Sequence, residues 1–256
     1  MRRLWLTGLG VLSGIWAGVA QAEKPLQVLV GMNKPPYIQV DSSDGYEIEL
    51  LREIARVMQQ PVEFTYVPNK RIFTLLQQGI GDIATLQKKT EGQTKIFYSC
   101  PYIRYQNVAV TLAANQISLN DLTDLAPFSI LAFQNAVQVL PEAYQRIALT
   151  SPSYRETVDQ RTQVEMLQKQ RVQVVVMDMN IFHYYNNKAE QGDQVQIYPL
   201  FTPTFYRAAF RSKDLARAFN RALQQVQRSS AYTLLQERYF GNALAAAPPP
   251  CDPNEL

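Results

Sequence analysis

Polar residues in this chain collect where short apolar runs end, and side chains at such points can hold a small molecule. Asn69, Lys70 and Arg71 follow a β-rich run over residues 62–67. An arginine there can grip a carboxylate through two parallel hydrogen bonds, or can be no more than an exposed charge at a helix start. Thr85 and Gln87 close the run 82–86, and Asp178 closes the run 172–177. Gln134 and Asn135 follow residues 129–133 and offer both donors and acceptors, with plain helix-start polarity as the other reading. Asp159-Gln160 opens a helical stretch, where Asp159 as a cap competes with contact to a bound molecule. This is hydrogen-bonding and charge-pairing chemistry. No Ser/His/Asp set, catalytic carboxylate pair or phosphate loop can be assembled. The single histidine, His183, lies in Ile181-Phe-His-Tyr-Tyr185, an aromatic helical context that gives it a structural role. Without a Cys/His cluster no zinc site is expected. The expectation is a binder with no catalytic residue, metal or cofactor.

Strand ends converge only if a sheet aligns them. Ile48, Leu51, Ile54, Ala55 and Met58 fall on one face of an amphipathic helix over residues 46–59. β-rich runs flank it at 27–32 and 62–67. A second helix (71–78, stopped by Gly79) and a third strand (82–86) complete a βαβαβ unit of a parallel sheet. Open sheets of this kind bind ligands outside the carboxyl ends of their strands, which is where the polar residues lie. After a polar loop (87–95) and an extended run (107–112), a second α/β set follows. It has strands at 129–133 and 172–177 and helices from about Ala136, over 160–169 and over 180–185. Residues 201–210 are extended and aromatic. A helix then carries Leu215, Phe219, Ala222, Leu223 and Val226 on one face, and a short helix over 231–240 ends at Gly241.

With 256 residues, 46% hydrophobic and 18% charged, the chain can bury a sizeable core. Arg2 and Arg3, an apolar stretch over 4–19 and Ala20-Gln21-Ala22 read as a signal peptide over residues 1–22, with a retained membrane anchor as the alternative. Its removal takes the formal charge from +3 to 23 − 22 = +1, since it holds two of the 25 basic and none of the 22 acidic residues. A nearly neutral mature chain with no basic stripe gives no sign of a nucleic-acid partner. Cys100 and Cys251 suit an oxidising compartment, where they form one disulfide or remain two thiols. Residues 243–256 read as a tail rich in alanine and proline.

Gly45-Tyr-Glu-Ile-Glu-Leu50, the Gly79-Ile-Gly-Asp82 turn, Tyr98-Ser-Cys-Pro-Tyr102, Leu119-Asn-Asp-Leu122, Arg171-Val-Gln-Val-Val-Val-Met-Asp178 and Arg238-Tyr-Phe-Gly241 together resemble bacterial extracellular solute-binding proteins of the amino-acid type, family 3, over about residues 25–242. The resemblance implies a two-lobed α/β fold of periplasmic binding protein type II, each lobe a mostly parallel sheet flanked by helices. Lobe one would be 25–106 plus 204–242 and lobe two 107–203, joined by two crossing strands and closing on a ligand. It implies a periplasmic monomer that captures a small solute for an ABC importer. A sensory or orphan receptor reporting to a membrane partner, or an enzyme such as a dehydratase on the same scaffold, are the alternatives. Residue by residue, Tyr37 matches an aromatic near the ligand or is a turn residue packed on Pro36, Thr85, Leu86 and Gln87 match hydrogen-bonding positions or form an ordinary strand end, Gln134 and Asn135 replace a loop usually rich in glycine and threonine, and Asp178 matches the acid that pairs with a ligand ammonium, with a cap for the following helix as the alternative. One departure stands out. The family arginine that clamps a carboxylate is missing from Thr90-Glu-Gly-Gln-Thr94, with Gln93 in its place and only Lys88 or Lys89 nearby, point charges without a planar fork.

Overall fold

The computed structural model describes residues 24–90, 92, 95–188, 194–241 and 251–252. The expected signal peptide, Gln93 and most of the expected tail lie outside the described residues.

Strand β1 (Leu26–Val30) leads through a loop to helix α1 (Tyr46–Met58), β2 (Val62–Tyr66), α2 (Asn69–Gln77) and β3 (Ile83–Gln87). The three strands are parallel in the order β2-β1-β3, as the alternating runs and helices dictate. Alternation along β1 sends its side chains to two layers. Val28 and Val30 join Ile48, Leu51 and Ile54 of α1 in the main core, while Leu29 packs with Ile72 and Leu76 of α2 on the opposite face. Met58, the last residue of the expected apolar face, is only partly buried. Gly45 starts α1 at φ 116°, and a Cβ there would stand 2.4 Å from the Tyr37 carbonyl oxygen, so only glycine lets the helix begin against that backbone.

Strands β4 (Phe97–Tyr105) and β5 (Asn107–Leu112) run on through Gln106, and β5 enters a second sheet. There β6 (Ile130–Phe133), α3 (Ala136–Val139), α4 (Glu142–Thr150), β7 (Tyr154–Thr157), α5 (Gln160–Gln168), β8 (Val174–Asp178), α6 (Met179–Asn187) and β9 (Val195–Tyr198) complete the order β7-β6-β8-β5-β9. The single helix expected from Ala136 is two, because Pro141 lacks the N–H to continue it and instead precedes α4. Strands β7 and β9 have no counterpart in the sequence-based expectation.

The chain then returns. β10 (Thr204–Phe210) inserts antiparallel between β3 and β4, and α7 (Lys213–Gln227) and α8 (Ser230–Phe240) cover the first sheet beside α1. Each sheet is therefore mixed: a parallel β-α-β part extended by antiparallel strands that arrive from the crossings. The two crossings touch, since the Gln106 side-chain amide donates to the Phe201 carbonyl at 2.6 Å. Cys100 of β4 is joined to Cys251 in a disulfide, Cα to Cα 5.3 Å, which fastens residues 251–252 beside α7. No helix among the described residues is long and apolar enough to cross a membrane.

Candidate functional site

Strand ends of both sheets meet across a cavity of about 240 Å³. From the first sheet come Gln87 and Lys88 at the end of β3, Asn69 at the start of α2, and Tyr206 of β10. From the second come Asn107 of β5, Phe133 of β6, Gln160 at the start of α5 and Asp178 at the end of β8. Lys34 and Tyr105 complete the base. Asn69 reaches this wall because residue 31 is glycine: a Cβ on Gly31 would lie 2.3 Å from the Asn69 amide oxygen. Of the residues singled out from the sequence, the fold thus gathers Asn69, Leu86, Gln87, Lys88, Gln160 and Asp178.

The others are placed elsewhere. Tyr37 is fully buried behind the wall, stacked on Tyr105 with ring centroids 4.2 Å apart. Its hydroxyl donates to Asp178 Oδ1 at 3.1 Å and accepts from the Asn180 amide at 2.9 Å. Thr85 is fully buried one turn of the pleat before Gln87, on the face of β3 that carries Ile83 into the core beside α1 and Glu47. Arg71 lies on the exposed side of α2, outside the wall. Gln134 is exposed, and Asn135 adopts φ 64° before α3, where the Glu156 carboxylate accepts from the backbone N–H groups of Asn135 (2.6 Å) and Val137 (2.9 Å). That helix start is occupied by the chain's own acid. Asp159 caps α5 through the Arg161 N–H at 2.9 Å. His183 is partly exposed on α6 and away from the cavity, its pKa lowered by burial.

Asp178 is 2% exposed and caps α6. Its Oδ1 accepts from Tyr37 and from the backbone of Asn180 and Ile181, and its Oδ2 from the backbone of Gln106 at 2.8 Å. Burial outweighs these donors and raises its pKa from 3.8 to about 6. A second carboxylate, Glu47, stands behind the wall with no exposure. Its Oε1 accepts from the Tyr102 hydroxyl, which accepts in turn from the Leu86 N–H at 3.1 Å, while Oε2 has no partner. Burial raises Glu47 from 4.5 to about 7, with Tyr102 and Lys34 opposing.

Sequence reasoning missed Lys34, Glu47, Tyr105 and Tyr206. Lys34 sits in the loop after β1, a strand end like the others, and Glu47 shares the buried face of α1 with Leu50 and Ile54 at helical spacing. Both signals were in the sequence. Tyr105 and Tyr206 depend on the β4·β10 pairing, which no local pattern announces.

Three hydrogen bonds behind the wall thus join the halves: Tyr37 to Asp178, Asn180 to Tyr37, and the Tyr184 hydroxyl to Gln39 Oε1 at 3.1 Å. No group of three or more metal-ligating side chains occurs among the described residues.

Comparison with known proteins points one way. The family model described as bacterial extracellular solute-binding proteins, family 3, matches residues 26–242. A protein of Neisseria gonorrhoeae named "Probable histidine-binding protein" is 23% identical over 233 residues, 88% of this chain and 86% of the relative. Among solved structures, the GluR0 ligand-binding core in complex with L-glutamate superposes with a TM-score of 0.68 at 16% identity, covering 86% of this chain and 100% of that one. A histidine kinase sensor domain with similarity to periplasmic binding proteins gives 0.67 at 18% identity, covering 86% and 97%.

Proposed function

The chain belongs to the bacterial extracellular solute-binding proteins of family 3, and from that premise we propose that it is a periplasmic receptor that encloses a small polar solute between its halves and delivers it to an ABC importer. One observation carries the reading: a cavity walled by the strand ends of both sheets, with Asn69, Gln87, Gln160 and Asp178 on it. Such a wall forms only when the halves are together, so a solute that touches both favours closure. The lobes are residues 25–106 with 204–242, and 107–203, and they turn about Gln106 and residues 199–203. Tyr37 and Thr85 act from behind, by fixing Asp178 and the β3 end.

A ligand that binds only the folded protein stabilises it by about 2.7 kcal/mol at a hundred times its Kd. The test is a thermal-shift screen over organic acids, amino acids and amines, together with native mass spectrometry of the protein as purified. A solute that raises the Tm and is retained in the gas phase is expected; a screen with no shift and no retained solute would overturn the reading. Delivery to an importer is tested by uptake of that solute in a strain lacking the protein.

A sensory receptor is the second reading, favoured by the absence of an arginine from the described wall and by the likeness to a sensor domain. In that case deletion leaves uptake intact and abolishes a transcriptional or motility response. Catalysis on the scaffold ranks last: the relatives matched are binding proteins, and Asp178 is already held by four donors.

A further inference from the structure

Resting on the reading that the cavity holds a solute, we propose that this solute is a small organic carboxylate without an α-ammonium, and that Lys34 is the cation on which its acidic group sits.

The charges on the wall do not balance. Among the described residues two lysines face the cavity, the part-buried Lys34 and the exposed Lys88, and the wall holds one carboxylate, Asp178. The acid is spent within the protein. A carboxylate offers about four lone-pair sites, and Tyr37 with the backbone of Gln106, Asn180 and Ile181 supplies four donors. Three of these crowd Oδ1 and only the Gln106 N–H takes Oδ2, so an ammonium on the ligand would meet a single remaining lone pair on a carboxylate that is 2% exposed. Lys34 stands in the opposite condition. Among the described residues its ammonium makes no hydrogen bond and no ion pair; its fixed neighbour is the Tyr105 ring, 5.2 Å from the centroid. A part-buried cation that has shed water and gained only a ring face lacks the hydrogen bonds that normally offset the cost. Burial accordingly lowers its pKa, while Glu47 and Asp178 pull the other way. Glu47 acts from behind the wall, accepts from Tyr102 and forms no ion pair with Lys34, so it does not serve as the missing partner.

Two other places where an anion could be held are closed. The start of α3, at the second half's strand end, already carries Glu156 on its N–H groups. Among the described residues no arginine fork lines the cavity. Lys34 and Lys88 remain, each over an aromatic ring, Tyr105 and Tyr206, which suits an acid on a flat or apolar body. A volume of about 240 Å³ restricts that body to a small molecule, below the ~300–1,000 Å³ of drug-sized pockets.

The experiment is calorimetric titration of the full mature protein, Lys34→Gln, Lys34→Arg and Lys88→Gln, with monocarboxylates, dicarboxylates, amino acids and amines, and circular dichroism to establish folding. Carboxylates without an amine should bind the parent protein best. Lys34→Gln should weaken them at least about tenfold, the loss of one charge-assisted pair, Lys34→Arg should retain most of the affinity, and Lys88→Gln should cost less. Affinity should also fall with added salt. Tight binding of an amine or amino acid that survives in Lys34→Gln would overturn the proposal and leave solute binding intact. Should Lys34→Gln fail to fold, the amino-acid-against-carboxylate preference and the salt dependence of the parent decide alone. Binding of no solute in any class would overturn both.

Discussion

At the residue scale the most telling group is Glu47, an acid with no exposure and an unpartnered oxygen. Its folded pKa, about 7, lies above the ordinary 4.5 because burial disfavours the charge. Below the ordinary value both folded and unfolded chains hold the proton and the group costs nothing. As pH rises toward 7 the unfolded chain releases that proton while the fold retains it, so stability falls across this window by up to about 3 kcal/mol at 1.36 kcal/mol per unit. Asp178, raised from 3.8 to about 6, adds a decline over a lower window. Melting temperatures measured from pH 4.5 to 7.5 should therefore drop, and in Glu47→Gln the drop above pH 6 should shrink. Equal slopes in the two proteins would show that Glu47 does not carry the buried-acid cost. The sequence allowed Asn69, Gln87, Gln160 and Asp178 to be found because each ends or begins an element. Tyr37 and Thr85 are buried instead, and their neighbours in sequence say nothing of whether a side chain turns into the cavity or into the core.

At the element scale, the βαβαβ unit was legible because α1 shows helical spacing, β1 is a nearly continuous apolar run and β2 alternates apolar with polar residues. What escaped were β7 and β9, four residues each and the two edges of the second sheet. Edge strands bury one side at most, so Tyr-Arg-Glu-Thr and Val-Gln-Ile-Tyr carry little of the apolar signal that marks a central strand. The start of α1 makes the sharpest test of local structure. Gly45→Ala would place a methyl 2.4 Å from the Tyr37 oxygen and 2.9 Å from the Ile38 nitrogen, at a φ that alanine avoids. The backbone strain alone costs about 1–3 kcal/mol, and the clash adds to it, so the urea midpoint should fall well below that of the parent. A midpoint within error of the parent would mean that the loop can retreat. Because Tyr46 and Glu47 also donate their N–H groups to Pro36 and Tyr37, such a retreat would move Tyr37 as well.

At the scale of the whole molecule, two links fall between residues far apart in sequence. Cys100 and Cys251 are 151 residues apart, so the disulfide closes more than half of the 256-residue chain into one loop. Bridges over long loops stabilise by about 2–5 kcal/mol, largely by restricting the unfolded chain. Reduction, or Cys100→Ser with Cys251→Ser, should lower the urea midpoint by a corresponding amount; an unchanged midpoint with two titrated thiols would exclude that role. The sequence could only pose this pairing as one of two outcomes, since nothing local places residue 251 beside β4. The mixed character of both sheets was equally hidden, because β10 belongs with strands laid down about a hundred residues earlier.

The hydrogen bonds from Tyr37 to Asp178, from Asn180 to Tyr37 and from Tyr184 to Gln39 span the two halves without passing through the cavity. On the clamp reading they must part before an enclosed solute can leave, so they act as a catch on the exit and lengthen its residence time. In Tyr37→Phe the first two are lost, and stopped-flow measurements should show dissociation accelerated several-fold while association changes little. The time a solute spends inside would then be set in part by a tyrosine it never touches.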